Sequence, residues 1–208
     1  MAFLNDLIDR VRPERVLEVA PGPARLSAEL RPVPLAIGMD FSPRMLTEAR
    51  RRTQARGLGW RFVRGDGFAL PFATATFDLV FSARFVRRFE PAPRARLYAE
   101  MRRVLRPGGH LVLDAQNRRV AGPHREGRSG YPVYDQLWLR DELVAELQAA
   151  GFEVLELEGI MRRFAWQWQL HRLRRFRLGT PARWLIAALE HTPDGNPSTW
   201  MVLCRSPR

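Results

Sequence analysis

The sequence predicts an α/β fold: a Rossmann-like, seven-stranded, mostly parallel sheet with helices on both faces and a helical insertion before the last strand. Short apolar runs alternate with helical patterns along the 208 residues, and this alternation is typical of a sheet that crossover helices cover on both sides. Hydrophobic residues make up 46% of the chain, which suffices for one core but hardly for two. We therefore expect one domain over residues 1–208.

The strand candidates are short runs rich in apolar and β-branched residues, bounded by turn-forming residues. They cover residues 15–20, 35–40, 61–66, 77–83, 110–116, 152–159 and 199–205. Because helical patterns alternate with these runs, we expect them to pair mainly in parallel.

Helices are predicted between the strands. Ser42 is a good helix cap and Pro43 suits the first helical position, and apolar residues then follow at helical spacing until Gly57. Further helices are predicted over residues 25–30, 97–105 and 140–150. The Arg-Pro-Gly-Gly run at residues 106–109 predicts a turn before the fifth strand.

Two segments do not fit the alternation of strands and helices. Residues 118–136 are rich in Gly, Pro and Arg, and residues 161–190 combine a helical pattern with Trp, Phe and Arg side chains. Material added at the carboxyl ends of an open α/β sheet usually covers the ligand. We expect both segments to form a lid or a substrate surface. The aromatic residues of 161–190 are equally compatible with peripheral membrane contact or simple packing on the sheet.

Charge alone does not predict a nucleic-acid partner. The formal net charge is +12, but all 34 basic residues are Arg and none is Lys. Such a bias is more typical of GC-rich coding than of selection for phosphate contacts. We therefore favour a small-molecule partner over nucleic acid, and the sequence specifies no oligomeric state.

Cysteine, histidine and hydropathy narrow the function further. Cys204 is the only cysteine, which excludes an intrachain disulfide and is typical of a cytoplasmic protein. The four histidines show no ligand spacing, so no metal site is predicted. No apolar run is long enough to span a membrane, and Asp6 and Asp9 make the amino-terminal residues unlike a signal peptide.

The first two strands end in residues suited to a nucleotide ligand. The first runs into the turn Ala20-Pro21-Gly22, whose small residues let a ligand approach the backbone. The second ends in Asp40, 18 residues after Gly22, where a carboxylate can accept both ribose hydroxyls or cap the following helix.

With this turn and Asp40, and with the further blocks given below, the chain resembles the class I S-adenosylmethionine-dependent methyltransferases, especially the ubiquinone/menaquinone-biosynthesis-like group (methyltransferase type 11). The resemblance runs from about residue 15 to residue 152. Four blocks carry it: residues 16–24, residues 37–46, residues 65–72 with 77–80, and residues 103–109. It implies S-adenosyl-L-methionine as cofactor and methyl transfer to a small acceptor, such as a natural product or a quinone-like or lipid-linked molecule.

The resemblance also implies which residues contact the cofactor. Glu18 and the turn at residues 20–24 would face its methionine and ribose, Asp40 the ribose hydroxyls, and Asp66 with Gly67 the adenine. The complete implied set is Glu18, Ala20, Pro21, Gly22, Asp40, Phe41, Asp66, Gly67, Phe68 and Ser82.

Two departures from the family pattern bear on the site. Ala20 and Ala24 stand where the family usually has glycine, and alanine is tolerable there if its φ is negative. Only about a dozen residues precede the first strand, where relatives often carry helices that close over the cofactor. We therefore expect any lid to come from residues 118–136 and 161–190.

No catalytic residue is assigned, because a sulfonium is already activated and the protein has mainly to align the acceptor. Arg87 and Arg88 are poor bases and are expected on the surface. Residues near the carboxyl end of the fifth strand or in the two extra segments are the substrate candidates. They are Asn117, Tyr131, Tyr134, His124 and His171.

Three other functions share some of these sequence features. A nicotinamide-dependent dehydrogenase shares the strand, turn and distal acid, but it leaves residues 103–109 unexplained, and the absence of Lys excludes the Tyr–Lys pair of short-chain reductases. A non-catalytic protein with the methyltransferase fold would explain Ala20 and Ala24. An RNA methyltransferase would use the arginines, with binding that weakens steeply with salt.

Overall fold

The structure, a computed structural model, describes residues 2–123, 134–160 and 196–207. Its strands are β1 (Arg15–Val19), β2 (Leu35–Asp40), β3 (Arg61–Arg64), β4 (Phe77–Ser82), β5 (Leu105–Asn117), β6 (Leu137–Trp138), β7 (Glu153–Ile160) and β8 (Thr199–Arg205). Its helices are α1 (Ala2–Val11), α2 (Pro43–Gln54), α3 (Pro91–Val104), α4 (Arg118–Ala121) and α5 (Arg140–Ala149). No helix within these ranges is long and apolar enough to cross a membrane.

The strands form one sheet in the order β3-β2-β1-β4-β5-β8-β7, and the two-residue strand β6 pairs with β5. Strands β1 to β5 are mutually parallel, whereas β8 is antiparallel to both of its neighbours. All seven predicted strands are present, so the predicted Rossmann-like α/β fold is confirmed. The helical insertion predicted at residues 161–190 lies outside the described residues.

Each face of the sheet packs against its own group of helices. On one face α3 and α5 contribute buried residues such as Tyr98, Met101 and Leu147. On the other, α1 buries Phe3 and Leu7, and α2 packs beside it. At roughly 1.5–3 kcal/mol for each fully buried large apolar side chain, this packing is the main stabilising term.

One predicted helix is absent. Residues 25–30 form turns and a short 3₁₀ helix, Ser27–Glu29, instead of an α-helix. The amide of Glu29 bonds to the carbonyl of Leu26, three residues back, and the chain then meets Pro32 and Pro34, which have no amide hydrogen to continue a helix. The connection from β1 to β2 therefore has almost no helix in it.

The predicted turn at residues 106–109 lies inside a strand. Leu105 pairs with Phe77 and His110 pairs with Leu79, so the four residues 106–109 of β5 lie opposite the single residue Asp78 of β4. Gly108 has a φ of 75°, which glycine adopts without steric cost. This irregularity lets β5 begin five residues earlier than the sequence pattern predicted.

A buried Asp at the start of β4 holds the amino-terminal ends of the central strands together. Asp78 Oδ2 accepts hydrogen bonds from the amides of Glu14 (2.7 Å) and Arg15 (2.8 Å), and Oδ1 lies 2.8 Å from the guanidinium of Arg106. One carboxylate thus ties the entry to β1, the start of β4 and the irregular part of β5 together.

A buried ion pair joins α3, α5 and β6. Arg94, with 1% of its side chain exposed, donates from Nε and Nη2 to both carboxylate oxygens of Glu146 at 2.6 and 2.7 Å. Tyr98 and Trp138 donate to the same carboxylate at 2.8 and 3.0 Å. The carboxylate is therefore fully paired, which a buried charge requires. These hydrogen bonds outweigh burial and lower the pKa of Glu146.

We expect Glu146→Ala to lower the free energy of unfolding by about 3–5 kcal/mol, because it leaves the guanidinium of Arg94 buried without its partner. Urea denaturation would measure the change. Glu153→Ala is the matched control, since its pair with Arg205 is exposed and should contribute less than about 1 kcal/mol. Equal losses in the two variants would contradict this account.

Candidate functional site

The parallel strands present their carboxyl ends at one edge of the sheet. Strand β7 ends and β8 begins at the same edge, because Thr199 pairs with both Ile160 of β7 and Gln116 of β5. Ligands of open α/β sheets bind beyond this edge. The segments that the sequence predicted to bind a ligand follow β1, β2, β3 and β4 and therefore converge here.

The turn after β1 contains three residues with left-handed backbone. Ala20, Gly22 and Ala24 have φ values of 58°, 55° and 52°, so the condition under which alanine would be tolerable here, a negative φ, is not met. The left-handed conformation costs a non-glycine residue roughly 1–2 kcal/mol. It is held by bonds from the Ala20 amide to Met39 (2.8 Å) and from the Ala24 amide to Pro21 (3.0 Å). A Cβ on Gly22 would meet no atom within 4 Å, so the turn leaves open space beside its backbone.

Asp40 connects this turn to α2. Its Oδ2 accepts a hydrogen bond from the amide of Gly22 and its Oδ1 from the amide of Ser42, both at 2.9 Å. A carboxylate offers about four acceptor positions, so about two remain for a ligand. Asp40 is also partly exposed. The two interpretations of this residue, a local cap and a ribose acceptor, are therefore compatible.

Aromatic and acidic side chains lie next to Asp40. Phe41 is 68% exposed, and the guanidinium of Arg64 lies 5.4 Å from the centre of its ring. Asp66 is exposed and accepts a bond from the amide of Phe68 at 2.9 Å. The ring of Phe68 packs edge-on against Phe89 with centroids 5.1 Å apart. Phe41 thus offers a free ring face and Asp66 a free carboxylate oxygen, whereas Phe68 is largely engaged.

Two other residues predicted to contact the cofactor, Gly67 and Ser82, are engaged in contacts within the protein. A Cβ at Gly67 would lie 3.0 Å from the ring of Phe85, so this position requires a small residue. Ser82 is buried, and its hydroxyl donates to the carbonyl of Val19 at 2.8 Å. That bond joins the ends of β4 and β1. Ser82 therefore shapes the site through the backbone, and its hydroxyl is already engaged.

Glu18 is a buried acid directly before the turn. Only 2% of it is exposed, and it accepts a hydrogen bond from the hydroxyl of Ser27. Burial raises the pKa of Glu18 to about 8, the bond from Ser27 opposes this shift, and the nearby charge of Asp40 adds to it. Because burial makes the ionised form of Glu18 unfavourable, a cation bound nearby would be stabilised by this carboxylate.

A cavity of about 720 Å³ opens beside the turn. Its apolar wall comes from α1, the connection after β1, the ends of β4 and β7, and β8. These side chains are Phe3, Leu4, Leu26, Ala83, Ile160 and Met201. Helix α1, which the sequence pattern did not predict, therefore lines part of the site.

The polar wall of the cavity includes a largely buried aspartate and a buried arginine. Asp114, on β5, accepts a bond from the amide of Arg84, and its Oδ2 lies 3.9 Å from Nε of Arg87. The Arg87 side chain is 6% exposed and also lies 3.4 Å from Asp135. The expectation that Arg87 is a surface residue is wrong, because two carboxylates hold its guanidinium inside the protein.

The substrate candidates fare differently. Asn117 is buried, and its amide group donates to the carbonyl of Pro197 at 2.8 Å and accepts from the amide of Arg119 at 3.1 Å, so it caps α4. Tyr134 is exposed and donates to Gln136 at 2.5 Å. Neither residue lines the cavity. Tyr131, His124 and His171 lie outside the described residues.

Asp114 and Gln116 are site residues that the sequence analysis missed. They interrupt the apolar run of β5 close to its carboxyl end, after Leu111, Val112 and Leu113. A polar residue that breaks a buried strand near the ligand edge was the available signal. Among the described residues no cluster of three or more His, Cys, Asp or Glu could hold a metal ion.

Comparison with known protein families matches residues 16–109 to the family described as "Methyltransferase domain". The demethylmenaquinone methyltransferase of Thermus thermophilus is 41% identical over 111 residues, which are 52% of this chain and 50% of that protein. That of Deinococcus radiodurans is 44% identical over 104 residues, which are 49% and 42% of the two chains. The match thus spans half or less of the length of these relatives.

Solved structures resemble the whole chain. The (4+2) cyclase SpnF superposes with a TM-score of 0.70 at 24% identity, covering 99% of this chain and 80% of that one. At this identity the likeness concerns the fold. Since that protein is described as a cyclase, the same fold carries more than one reaction.

Ala20→Gly should leave the protein as stable or raise the free energy of unfolding by up to about 1 kcal/mol, because glycine removes the left-handed penalty. Chemical denaturation would measure it. The control Ala49→Gly lies inside α2 and should destabilise by about 1 kcal/mol or more. A comparable loss at Ala20 would show that its backbone is not left-handed.

The stability of the wild-type protein should depend on pH through Glu18. Its protonated form favours the fold, so this contribution is complete below an unfolded-state pKa of about 4.5 and is lost as the pH rises through about 8. Glu18→Gln keeps an acceptor for Ser27 and cannot ionise. As the pH is raised from 5 to 9, the free energy of unfolding of the variant should increase relative to that of wild type by on the order of 3–5 kcal/mol. Parallel pH profiles from thermal denaturation would contradict the assignment.

Proposed function

We propose, because residues 16–109 match a methyltransferase domain family, that this chain transfers a methyl group from S-adenosylmethionine to a small-molecule acceptor. The domain match supports the class I methyltransferase family that the four sequence blocks predicted. The observation that carries the proposal is the partly exposed carboxylate of Asp40, tied to the glycine turn and still able to accept two hydrogen bonds.

The residues around Asp40 fit the nucleoside part of this cofactor. The unused acceptor positions of Asp40 suit two ribose hydroxyls. The exposed ring of Phe41 offers a stacking face for adenine, and Asp66 can accept from an exocyclic amino group. The space beside Gly22 lets the ligand approach the backbone. These are the features that a bound nucleoside needs.

The charges fit the methionine part. When ionised, the buried carboxyl of Glu18 supplies a negative charge at the turn, and it would stabilise the cationic end of the cofactor. S-adenosylmethionine, when bound, supplies a methyl group that its sulfonium has already activated. The protein then has to orient the acceptor and exclude water, and the apolar wall of the neighbouring cavity serves both purposes.

The acceptor is a small molecule in this proposal. The cavity has the volume and the mostly apolar wall of a small-molecule site. The two relatives described above are demethylmenaquinone methyltransferases, which supports a quinone-like acceptor, although natural products and lipid-linked molecules fit the same wall. We further propose one domain over residues 1–208, with residues 118–136 and 161–190 covering the acceptor. A cytoplasmic location agrees with the single, buried Cys204.

A non-catalytic protein with this fold is the second candidate. The left-handed alanines favour it, because methyl groups at Ala20 and Ala24 restrict a turn that glycine usually fills. This candidate predicts no affinity for the cofactor, so a binding measurement separates the two.

Calorimetric titration should show micromolar binding of S-adenosylmethionine and S-adenosylhomocysteine to the wild-type protein. Asp40→Ala should weaken binding at least tenfold, because it removes the ribose acceptor and the anchor of Gly22. Asp9→Ala is the control, since Asp9 is exposed and forms a surface ion pair with Arg31 at 3.0 Å.

Thermal denaturation of Asp40→Ala would separate lost binding from lost folding, and Asp40→Asn, which keeps one acceptor oxygen, should bind with intermediate affinity. Absence of binding to a folded wild-type protein would establish the non-catalytic candidate instead.

A further inference from the structure

The cavity beside the cofactor turn contains an acid that the proposed function does not yet use. Asp114 lines the cavity together with Ala83 and Arg25, and these two residues directly follow β4 and the β1 turn. The acid therefore lies on the wall of a cavity that also includes the residues next to the predicted cofactor turn and to the end of β4. The following inference rests on the proposed function and concerns the same site.

The carboxylate of Asp114 is held in a fixed position. Its Oδ1 accepts the amide of Arg84, and Arg84 has a left-handed backbone with a φ of 58°. Backbone strain in a non-glycine residue persists where the surroundings enforce it, and such residues concentrate at functional sites. Among the described residues, the ion pair recorded for Oδ2 is with Nε of Arg87 at 3.9 Å, which is longer than a hydrogen bond. One carboxylate oxygen is thus positioned and the other can still accept a strong hydrogen bond.

The surrounding charges restrict what can bind to Asp114. Arg25, Arg84 and Arg87 line the same cavity, and among the described residues Glu158 of β7 is the other acid on its wall. Three guanidinium groups disfavour a cationic acceptor such as an ammonium. An ionised carboxylate is an acceptor only, so it selects a neutral molecule with a hydrogen-bond donor. With an apolar wall around it, a hydroxyl on a hydrophobic ring system fits best.

We propose that Asp114 is the catalytic residue that accepts the proton of an aromatic hydroxyl on the acceptor. In this step the acceptor's O–H bond breaks and its proton forms a bond to Oδ2 of Asp114. The electron pair of the broken bond stays on the acceptor, whose oxygen or conjugated ring carbon becomes the nucleophile. Asp114 becomes neutral and later returns the proton to solvent.

The acidity of the partners supports this step. Burial raises the pKa of Asp114, while the amide of Arg84 and the charges of Arg87 and Arg84 oppose the shift and the charge of Asp135 adds to it. A phenolic hydroxyl ionises near pH 10, whereas an ordinary carboxylate is a very weak base. A raised pKa brings the carboxylate closer to the phenol, and the smaller gap makes proton transfer easier.

Binding of 1-naphthol and 1-methoxynaphthalene tests the proposal without turnover. These probes share an aromatic ring system, and only the first can donate to Asp114. We expect wild type to bind 1-naphthol at least about tenfold more tightly at pH 8, measured by calorimetry or fluorescence. Asp114→Asn keeps an acceptor for the amide of Arg84 but loses the charge, and charge-assisted bonds are roughly twice as strong as neutral ones. Its preference should fall below about threefold.

The control Asp9→Asn, the same substitution at an exposed residue, should keep the wild-type preference. The wild-type protein alone gives a second measurement, because its preference should disappear as Asp114 is protonated, at a pH above the usual range of an aspartate. A preference that survives in Asp114→Asn, or is the same at pH 8 and pH 4, would overturn the role of Asp114. Failure of wild type to bind either naphthalene would overturn the aromatic acceptor.

Cofactor titration of the same variants separates this inference from the proposed function. Asp114→Asn should bind S-adenosylmethionine like wild type, because Asp114 is not among the residues that fit the nucleoside. Loss of cofactor binding in wild type would refute the methyltransferase proposal, and the naphthalene result would then describe only a ligand cavity.

Discussion

The arrangement of the ligand edge depends on one constraint, the carboxylate of Asp40 shared between the amides of Gly22 and Ser42. Because β1 and β2 are parallel neighbours, both of their ends arrive at the same place, and one short side chain can hold both following segments. The turn after β1 is pulled into left-handed backbone, and α2 starts at a fixed point. Phe41, between Asp40 and Ser42 in the chain, lies on the surface with its ring exposed.

Buried ionisable groups occur both in the packing of the helices and at the carboxyl ends of the strands, but they differ in how completely they are hydrogen-bonded. Arg94 and Glu146 are buried in a fully bonded network, so their charges rigidify the packing of α3 against α5. Glu18 and Asp114 are buried at the ligand edge with fewer bonds, and their pKa values are raised. Incomplete pairing is what leaves them available to a ligand.

The sheet was predictable from sequence because each strand is a local pattern, and every predicted strand is present. The angles of Ala20 and Ala24 were not, since the amides of this turn donate hydrogen bonds to Asp40 and Met39, which lie almost 20 residues further along the chain. A helix at residues 25–30 was predicted wrongly because the prolines that follow limit it to a 3₁₀ turn. The cavity around Asp114 combines side chains from both ends of the chain, and no local pattern encodes such a meeting.

The hairpin of β7 and β8 also bears on how the acceptor preference of such a protein could change during evolution. Seven residue pairs join these strands from Glu153–Arg205 to Ile160–Thr199, and seven more join β8 to β5. The two ends of the intervening segment are therefore fixed at the cavity whatever its sequence. Doubling the length of a loop between fixed ends costs only about 0.6 kcal/mol. Replacement of this segment during evolution would therefore alter the cavity, and with it the acceptor proposed above, while the sheet, the turn and Asp40 remain the same.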